Sequence, residues 1–400
     1  MRRKSITDFR RFKNALLLFG PAWLVMMADM DASSTIGAAE TGALLKYSLV
    51  IFLLLLSVPL YFIQEAAGRI GVATGRGLGD VIRENYSKGL ASLMALPMAL
   101  TDALTYAVEY AGAAVGLAVF GISPLVSVPL VFLLHMGLIV TRKYEHAEKP
   151  LLLMSLLLII GYGLVLAHVG LRDYPVLEVS ASKNFLFLVA ANVGAVVMPF
   201  MLFFQASATA IKFSSIKNLI SKREAMKRIR METALGAIAT EALMVIVEMA
   251  MAGVDPSTNF LSPESLTKAL DSVAGSLSPV FFSVGLVSSA FLALVVISLG
   301  SAWGIVEALG ISKDKTILVY LFESLPAAVL ISTVPIASLT NVILNLLVFF
   351  VFTLIGPGVI LGLLSSSEKI MGELRNRTYE KIIYWICLSS VVLFGVLSLL

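Results

Sequence analysis

Residues 20–45 read GPAWLVMMADMDASSTIGAAETGALL, and residues 185–211 read FLFLVAANVGAVVMPFMLFFQASATAI. Each is long enough to cross ~30 Å of hydrocarbon as a helix, and each is interrupted near its middle. In the first, Asp31-Ala32-Ser33-Ser34-Thr35 is polar, and Asp and Ser side chains compete with the helix for backbone hydrogen bonds. In the second, Pro199 removes one helical hydrogen bond and its ring crowds the preceding turn. Breaks at matching places in the two halves of a membrane chain point to a binding site lined by unwound backbone.

The sequence around these stretches is built for lipid. Of 400 residues, 58% are hydrophobic and 14% charged, where a soluble domain carries roughly 25% charged residues. Apolar segments fall near 16–45, 48–68, 90–120, 122–141, 150–170, 184–211, 231–253, 274–309, 316–335, 337–364 and 382–399. With the N-terminus inside and strict alternation, the inside segments hold 26 of the 30 Lys and Arg residues, as the positive-inside rule requires. Only Lys46, Arg172, Lys183 and Lys268 fall outside. The expectation is an all-α integral membrane protein with eleven transmembrane helices, its N-terminus cytoplasmic and its C-terminus outside. The basic start, MRRKSITDFRRFKN, precedes an apolar run as a signal peptide does. No small-residue cleavage site follows, and the run carries Asp29 and Asp31, so a retained first span is expected.

The chain reads as one polytopic domain, 1–400, because no polar stretch exceeds ~30 residues and a soluble domain needs ~50. Spans 1–5 and 6–10 contain an odd number per half, which gives the halves opposite topologies. Two inverted repeats, about 16–170 and about 184–364, are expected, with 379–400 as a peripheral eleventh helix. The longest inside loop, Lys212–Arg230, is read as a short interfacial helix.

Asp31 carries the functional reading. A mid-membrane aspartate costs several kcal/mol unless it meets a cavity or a partner, and no Lys or Arg lies centrally in any span to pair with it. Asp29 falls on another helix face. Met198 precedes Pro199; a lone Met usually packs, and this chain has sixteen, but one at a helix break is placed to act as a ligand. A thioether is soft and favours transition metals over Ca²⁺ or Mg²⁺. Glu40, Asp102, Glu109, Glu241, Glu248, Glu307 and Glu323 also lie in or near spans, an acidic bias that suits a cation path and opposes an anion path. Glu307 and Glu323, close to cytoplasmic ends, are read as loop caps.

Other motifs point elsewhere and carry less. Gly77-Leu78-Gly79-Asp80 is similar to the motif of GxGD intramembrane proteases, but that chemistry needs two facing aspartates. Asp80 is read instead as a loop residue among Arg69, Arg76 and Arg83. His135 and His146 are placed at a span end and in a loop, His168 closes span 5, and none has metal-ligand spacing. No Walker lysine motif is present. The single Cys387 excludes disulfides and thiolate clusters.

At the paired breaks the sequence resembles the Nramp family of divalent metal transporters. The likeness runs without gaps from Gly20-Pro21 to Tyr47-Ser48. It continues through Arg69-Ile70-Gly71-Val72-Ala73-Thr74-Gly75 and Glu109, recurs at Gly194-Ala195-Val196-Val197-Met198-Pro199, and thins after span 7 to Glu307. The resemblance implies a LeuT-like 5+5 inverted-repeat fold with alternating access and broken helices 1 and 6. A divalent metal ion, as substrate and not cofactor, would be held by Asp31, Ser34, the carbonyl of Ala195 and Met198. Glu40, Glu109, Asn341 and Asn345 would lie along the pathway.

The departures from the family are specific. Its Asp-Pro-Gly-Asn is Asp31-Ala32-Ser33-Ser34 here, and its Met-Pro-His is Met198-Pro199-Phe200. Tyr106 stands where span 3 carries an Asp, and Tyr320 aligns with a span 9 Arg. Three members of the family's proton route are thus replaced. Nramp-related magnesium transporters also lack the coupling residues but lose the Met, which this chain keeps. The expectation is a transporter or facilitator of Mn²⁺- or Fe²⁺-like ions with weak or absent proton coupling. Mg²⁺ stays open because the small Ala32, Ser33 and Ser34 leave room for a partly hydrated ion. The alternative is a LeuT-like carrier of a small organic cation or amino acid, with Asp31 binding an amine and Phe200, Phe203 and Phe204 lining the site. No enzyme activity, cofactor or nucleic-acid partner is expected; a monomer in a prokaryotic inner membrane is.

Overall fold

The first apolar segment folds as two short helices. α1 (Pro21–Asp29) and α2 (Ala32–Leu45) are separated by Met30 and Asp31. The computed structural model describes residues 20–140 and 144–399, and every regular element among them is helical. The basic segment 1–14, Arg142, Lys143 and the side chain of His146 lie outside the described residues.

α3 (Val50–Thr74) ends where Gly75 takes a left-handed φ of 67°. A short α4 (Leu78–Asn85) leads to α5 (Lys88–Ala118), whose first turn is capped by Ser87 Oγ accepting from Leu90 N at 3.0 Å. α6 (Pro124–Val140) and α7 (Tyr144–Val169) follow. The second interrupted segment yields α8 (Lys183–Val196) and α9 (Pro199–Ile216). Then come α10 (Lys222–Met251), α11 (Pro263–Ala274), α12 (Ser278–Leu309), α13 (Thr316–Thr333), α14 (Thr340–Ser366) and α15 (Thr378–Leu397). Each of the eleven expected segments thus has a helix or a split pair. Among the described residues nine stretches, α8 with α9 counted as one, are long and apolar enough to cross a membrane. α6 has 17 residues, and α1 and α2 have 9 and 14.

The structure corrects three local readings. The basic stretch Lys212–Arg230 is no separate interfacial helix: α9 runs on to Ile216, and α10 begins at Lys222 because Ser221 Oγ caps Glu224 N at 3.2 Å. Asp80 is not in a loop but in the first turn of α4, where it pairs with Arg83 at 2.8 Å. Glu307 is no exposed cap. It is buried, accepts from Ser207 Oγ at 2.9 Å, and sits against Gly77 and Gly79, where any Cβ would collide with its side chain. The Gly-Leu-Gly-Asp stretch is therefore the wall of a carboxylate pocket, and both glycines are there for space.

α12 is the most enclosed long helix and packs against α5, α7 and α9. The two split segments cross-pair around it: α1 packs on α9, α2 packs on α8, and α10 runs along both α1 and α2. Close backbone approach sets these crossings. A Cβ at Gly194 would strike the carbonyl of Leu347 on α14, and one at Gly112 would strike Ala32 at the start of α2.

Candidate functional site

The break in the first segment is a helix start held by two carboxylates. Asp31 is extended (φ −75°, ψ −178°) and caps α2: its Oδ1 accepts from Ser34 N and from Ser33 Oγ, both at 2.7 Å. The first amide groups of a helix lack intrahelical acceptors, and its positive end favours anions. Glu109, one turn before Gly112 on α5, uses the same helix start, its Oε2 accepting from Ala32 N at 3.0 Å. The two carboxylates face each other closely enough to interact, with no basic group opposing either.

Capping does not use all their acceptors. Asp31 Oδ2, Glu109 Oε1 and the hydroxyl of Ser34 are buried and find no hydrogen-bond partner outside the cluster these three side chains form. An unmatched buried polar group costs about 1–3 kcal/mol, and more when charged. Several such buried polar atoms on adjoining side chains form an arrangement that a cation would satisfy.

The second break supplies neutral donors. Val197 and Met198 are extended (ψ 96° and 144°) between α8 and α9. Pro199 has no N–H, so the carbonyl of Ala195, four residues earlier, lacks its helical donor. Met198 N–H donates to Met201 Sδ at 3.4 Å. α1 packs on α9 and α2 on α8, so each half of one split segment lies against a half of the other. Asp31, Ser34 and Met198 have 0% exposure and Ala195 2%, so the residues at both joints are buried. Among the described residues no three His, Cys, Asp or Glu side chains are grouped to hold a metal. Any ion here would rely on two carboxylates completed by hydroxyl, carbonyl and thioether donors.

The structure also joins residues that the sequence kept apart. Tyr106 OH donates to Ser298 Oγ at 2.9 Å, and Ser298 Oγ bonds His135 Nε2 at 2.7 Å. On the other ring nitrogen, His135 Nδ1 meets Tyr320 OH at 3.1 Å and Tyr110 OH at 3.3 Å. Tyr106 and Tyr320 thus belong to one buried network with His135 at its hub. The sequence reading set His135 aside as a span-end residue. Its place on the buried stripe Val128, Val131, His135, Ile139 of α6, at helical spacing, was the signal that pointed inward. Towards the basic end of α5, Asp102 has both oxygens unpartnered and interacts with Glu323, which accepts from Ser301 Oγ at 3.0 Å. Glu323, expected as a loop cap, is bound by this buried hydroxyl because α13 turns it towards α12.

Two pathway candidates are placed elsewhere. Asn341 and Asn345 lie on the exposed face of α14, and Asn345 Nδ2 donates to the carbonyl of Asn341 at 2.7 Å. Their spacing of four residues closes this bond within one helix. Glu40 is on α2 and mostly buried. Phe200, Phe203 and Phe204 are fully buried, and Phe204 stacks on Trp303 with ring centroids 5.9 Å apart, which places that ring in helix packing.

The chain is similar to several known membrane proteins. The Lacticaseibacillus casei protein named divalent metal cation transporter MntH is 25% identical over 92% of this chain and 85% of its own length. An Agrobacterium fabrum protein of the same name is 25% identical over 95% of this chain and 86% of its own. The crystal structure of the Eremococcus coleocola manganese transporter superposes with a TM-score of 0.81 at 17% identity, over 97% of this chain and 87% of that one. Mhp1, a nucleobase-cation-symport-1 family transporter in a closed conformation, gives 0.55 at 14% identity, over 95% and 92%. This chain shares the all-helical LeuT-like fold of these neighbours. The family model described as natural resistance-associated macrophage protein-like matches residues 22–400, and the chain belongs to this family of membrane transporters, Nramp.

Proposed function

We propose that the chain carries divalent metal cations of the Mn²⁺ or Fe²⁺ kind across the membrane by alternating access. The ion, as substrate, is held by Asp31 Oδ2, Ser34 Oγ, the Ala195 carbonyl and Met198 Sδ, with Glu109 adding charge from α5. The observation that carries this reading is the set of buried acceptors at the first break that find no partner outside their own cluster and, among the described residues, no opposing base. A dication with oxygen and thioether donors matches that set, and the retained thioether favours a softer ion than Mg²⁺. In this reading 16–170 and 184–364 are the two repeats that rock around the joints, 379–400 is peripheral, and the chain works as a monomer in an inner membrane with its basic loops inside.

Coupling to protons is weak or absent. The positions that resemble the family's charged Asp and Arg hold Tyr106 and Tyr320, both hydrogen-bonded to neutral groups. Uptake is then driven by the metal gradient and the membrane potential, about 2.3 kcal/mol per charge per 100 mV and twice that for a dication. Reconstituted protein should take Mn²⁺ into liposomes faster when a potential, inside negative, is imposed. Uptake indifferent to Mn²⁺ concentration and potential would remove the proposal.

A further inference from the structure

A cavity lined by none of the residues at the helix joints is predominantly basic. About 540 Å³ in volume, it lies where α3, the start of α10 and the start of α15 meet, at the ends of three apolar helices long enough to span a membrane. Six basic side chains line it against two acids, Glu373 and Glu380. Part of this charge is internally matched. Glu65 bridges Arg69 and Arg230 at 2.8 Å each, and Glu380 bonds Arg230 at 3.0 Å and Arg69 at 3.6 Å. Arg375 pairs with Glu368.

Three bases remain without a carboxylate partner among the described residues: Arg223, Lys227 and Arg377, from α10 and from the cap of α15. Arg69, only 4% exposed, keeps its Nε unpartnered as well. The positive-inside bias explains basic loops, but it does not require them to converge on one concavity beside a buried, incompletely bonded guanidinium. Immediately beyond, α15 carries an open groove lined by Lys381 at one end and by Ile382, Trp385, Ile386 and Leu393 along its length. Ile382, Ile386 and Leu393 are each more than half exposed.

We infer that this is a binding site for one anionic phospholipid. Its phosphate sits among Arg223, Lys227 and Arg377, and its acyl chains lie along the groove of α15. Basic pockets between transmembrane helices recognise such headgroups by charge. The site bridges α3, α10 and α15, so an occupant ties the last helix to the body of the transporter. The inference is independent of which ion is carried.

The test is native mass spectrometry of the full chain released from nanodiscs containing phosphatidylglycerol and phosphatidylcholine. Wild type should retain phosphatidylglycerol selectively. The triple variant Arg223→Gln, Lys227→Gln, Arg377→Gln leaves the Glu65–Arg69–Arg230–Glu380 pairs intact and should bind it about a hundredfold more weakly, each base being worth about a factor of five. A control triple, Lys88→Gln, Lys217→Gln, Lys315→Gln, removes equal charge outside the cavity and should bind as wild type does. Equal loss in both triples, or no preference over phosphatidylcholine, overturns the site. Displacement of the lipid by inorganic phosphate alone, at similar affinity, overturns the lipid in favour of a soluble anion.

Discussion

Glu109 Oε2 accepts the backbone N–H of Ala32 at 3.0 Å, so a carboxylate of α5 fixes the first residue of the second half of a split helix. The same side chain leaves Oε1 unpartnered beside Asp31. One residue thus ties the joint in place and adds charge to it, and substitution separates the two roles. Glu109→Gln retains a carbonyl oxygen for Ala32 N–H and removes the charge. It should fold with a melting temperature near wild type and bind Mn²⁺ about 10–100-fold more weakly, the loss typical when a group supporting a metal site is changed. Glu109→Ala should also lose about 1–3 kcal/mol of stability, read by thermal unfolding, because the amide loses its acceptor.

Met198 is tested by removing sulfur without removing volume. Met198→Leu is nearly isosteric and should cost under about 1.5 kcal/mol of stability. If the thioether coordinates, Cd²⁺ and Mn²⁺ uptake fall sharply while any Mg²⁺ uptake is spared. Unchanged selectivity would return Met198 to the role of packing residue.

Proton coupling is checked in liposomes carrying an internal pH dye. Mn²⁺ entry through wild type should leave the interior pH near its starting value, because Tyr106 and Tyr320 are bonded to Ser298 and His135 and not to a charged pair. Robust acidification driven by metal would mean that the buried His135 network, or Asp102 with Glu323, moves protons after all.

Gly112 is required for the crossing of α5 with α2. Gly112→Val drives side-chain atoms into Ala32 and pushes the Glu109 carboxylate from its amide. Overpacking of this kind costs about 1–3 kcal/mol, and transport should fall more than stability does. Gly137→Val, on α6 with open space around it, should leave both almost unchanged.

Much of this architecture is legible in the sequence because lipid imposes simple rules. Hydropathy marks the spans, basic residues mark one face, and Asp31 and Pro199 mark the breaks. The pairing partners were not legible. Glu109 was placed on a pathway, yet it caps the joint itself, a relation set by how α5 crosses α2 and not by local pattern. His135 was set aside because its partners, Ser298, Tyr110 and Tyr320, come from three other helices. Asn341 and Asn345 share an exposed helix face and a bond within one helix, a local relation that four-residue spacing makes readable. Residues that act through local backbone chemistry could be read early, whereas those that act across helices needed the fold.

The most direct test of the cation site is calorimetric titration of purified protein with Mn²⁺, wild type against Asp31→Asn. Asn caps a helix about as well as Asp, so the variant keeps the Ser34 amide satisfied and changes only the charge. The account predicts saturable binding to wild type and a loss of at least about tenfold, ~1.4 kcal/mol, in the variant. Equal affinity in the two proteins, with both correctly folded, would contradict it.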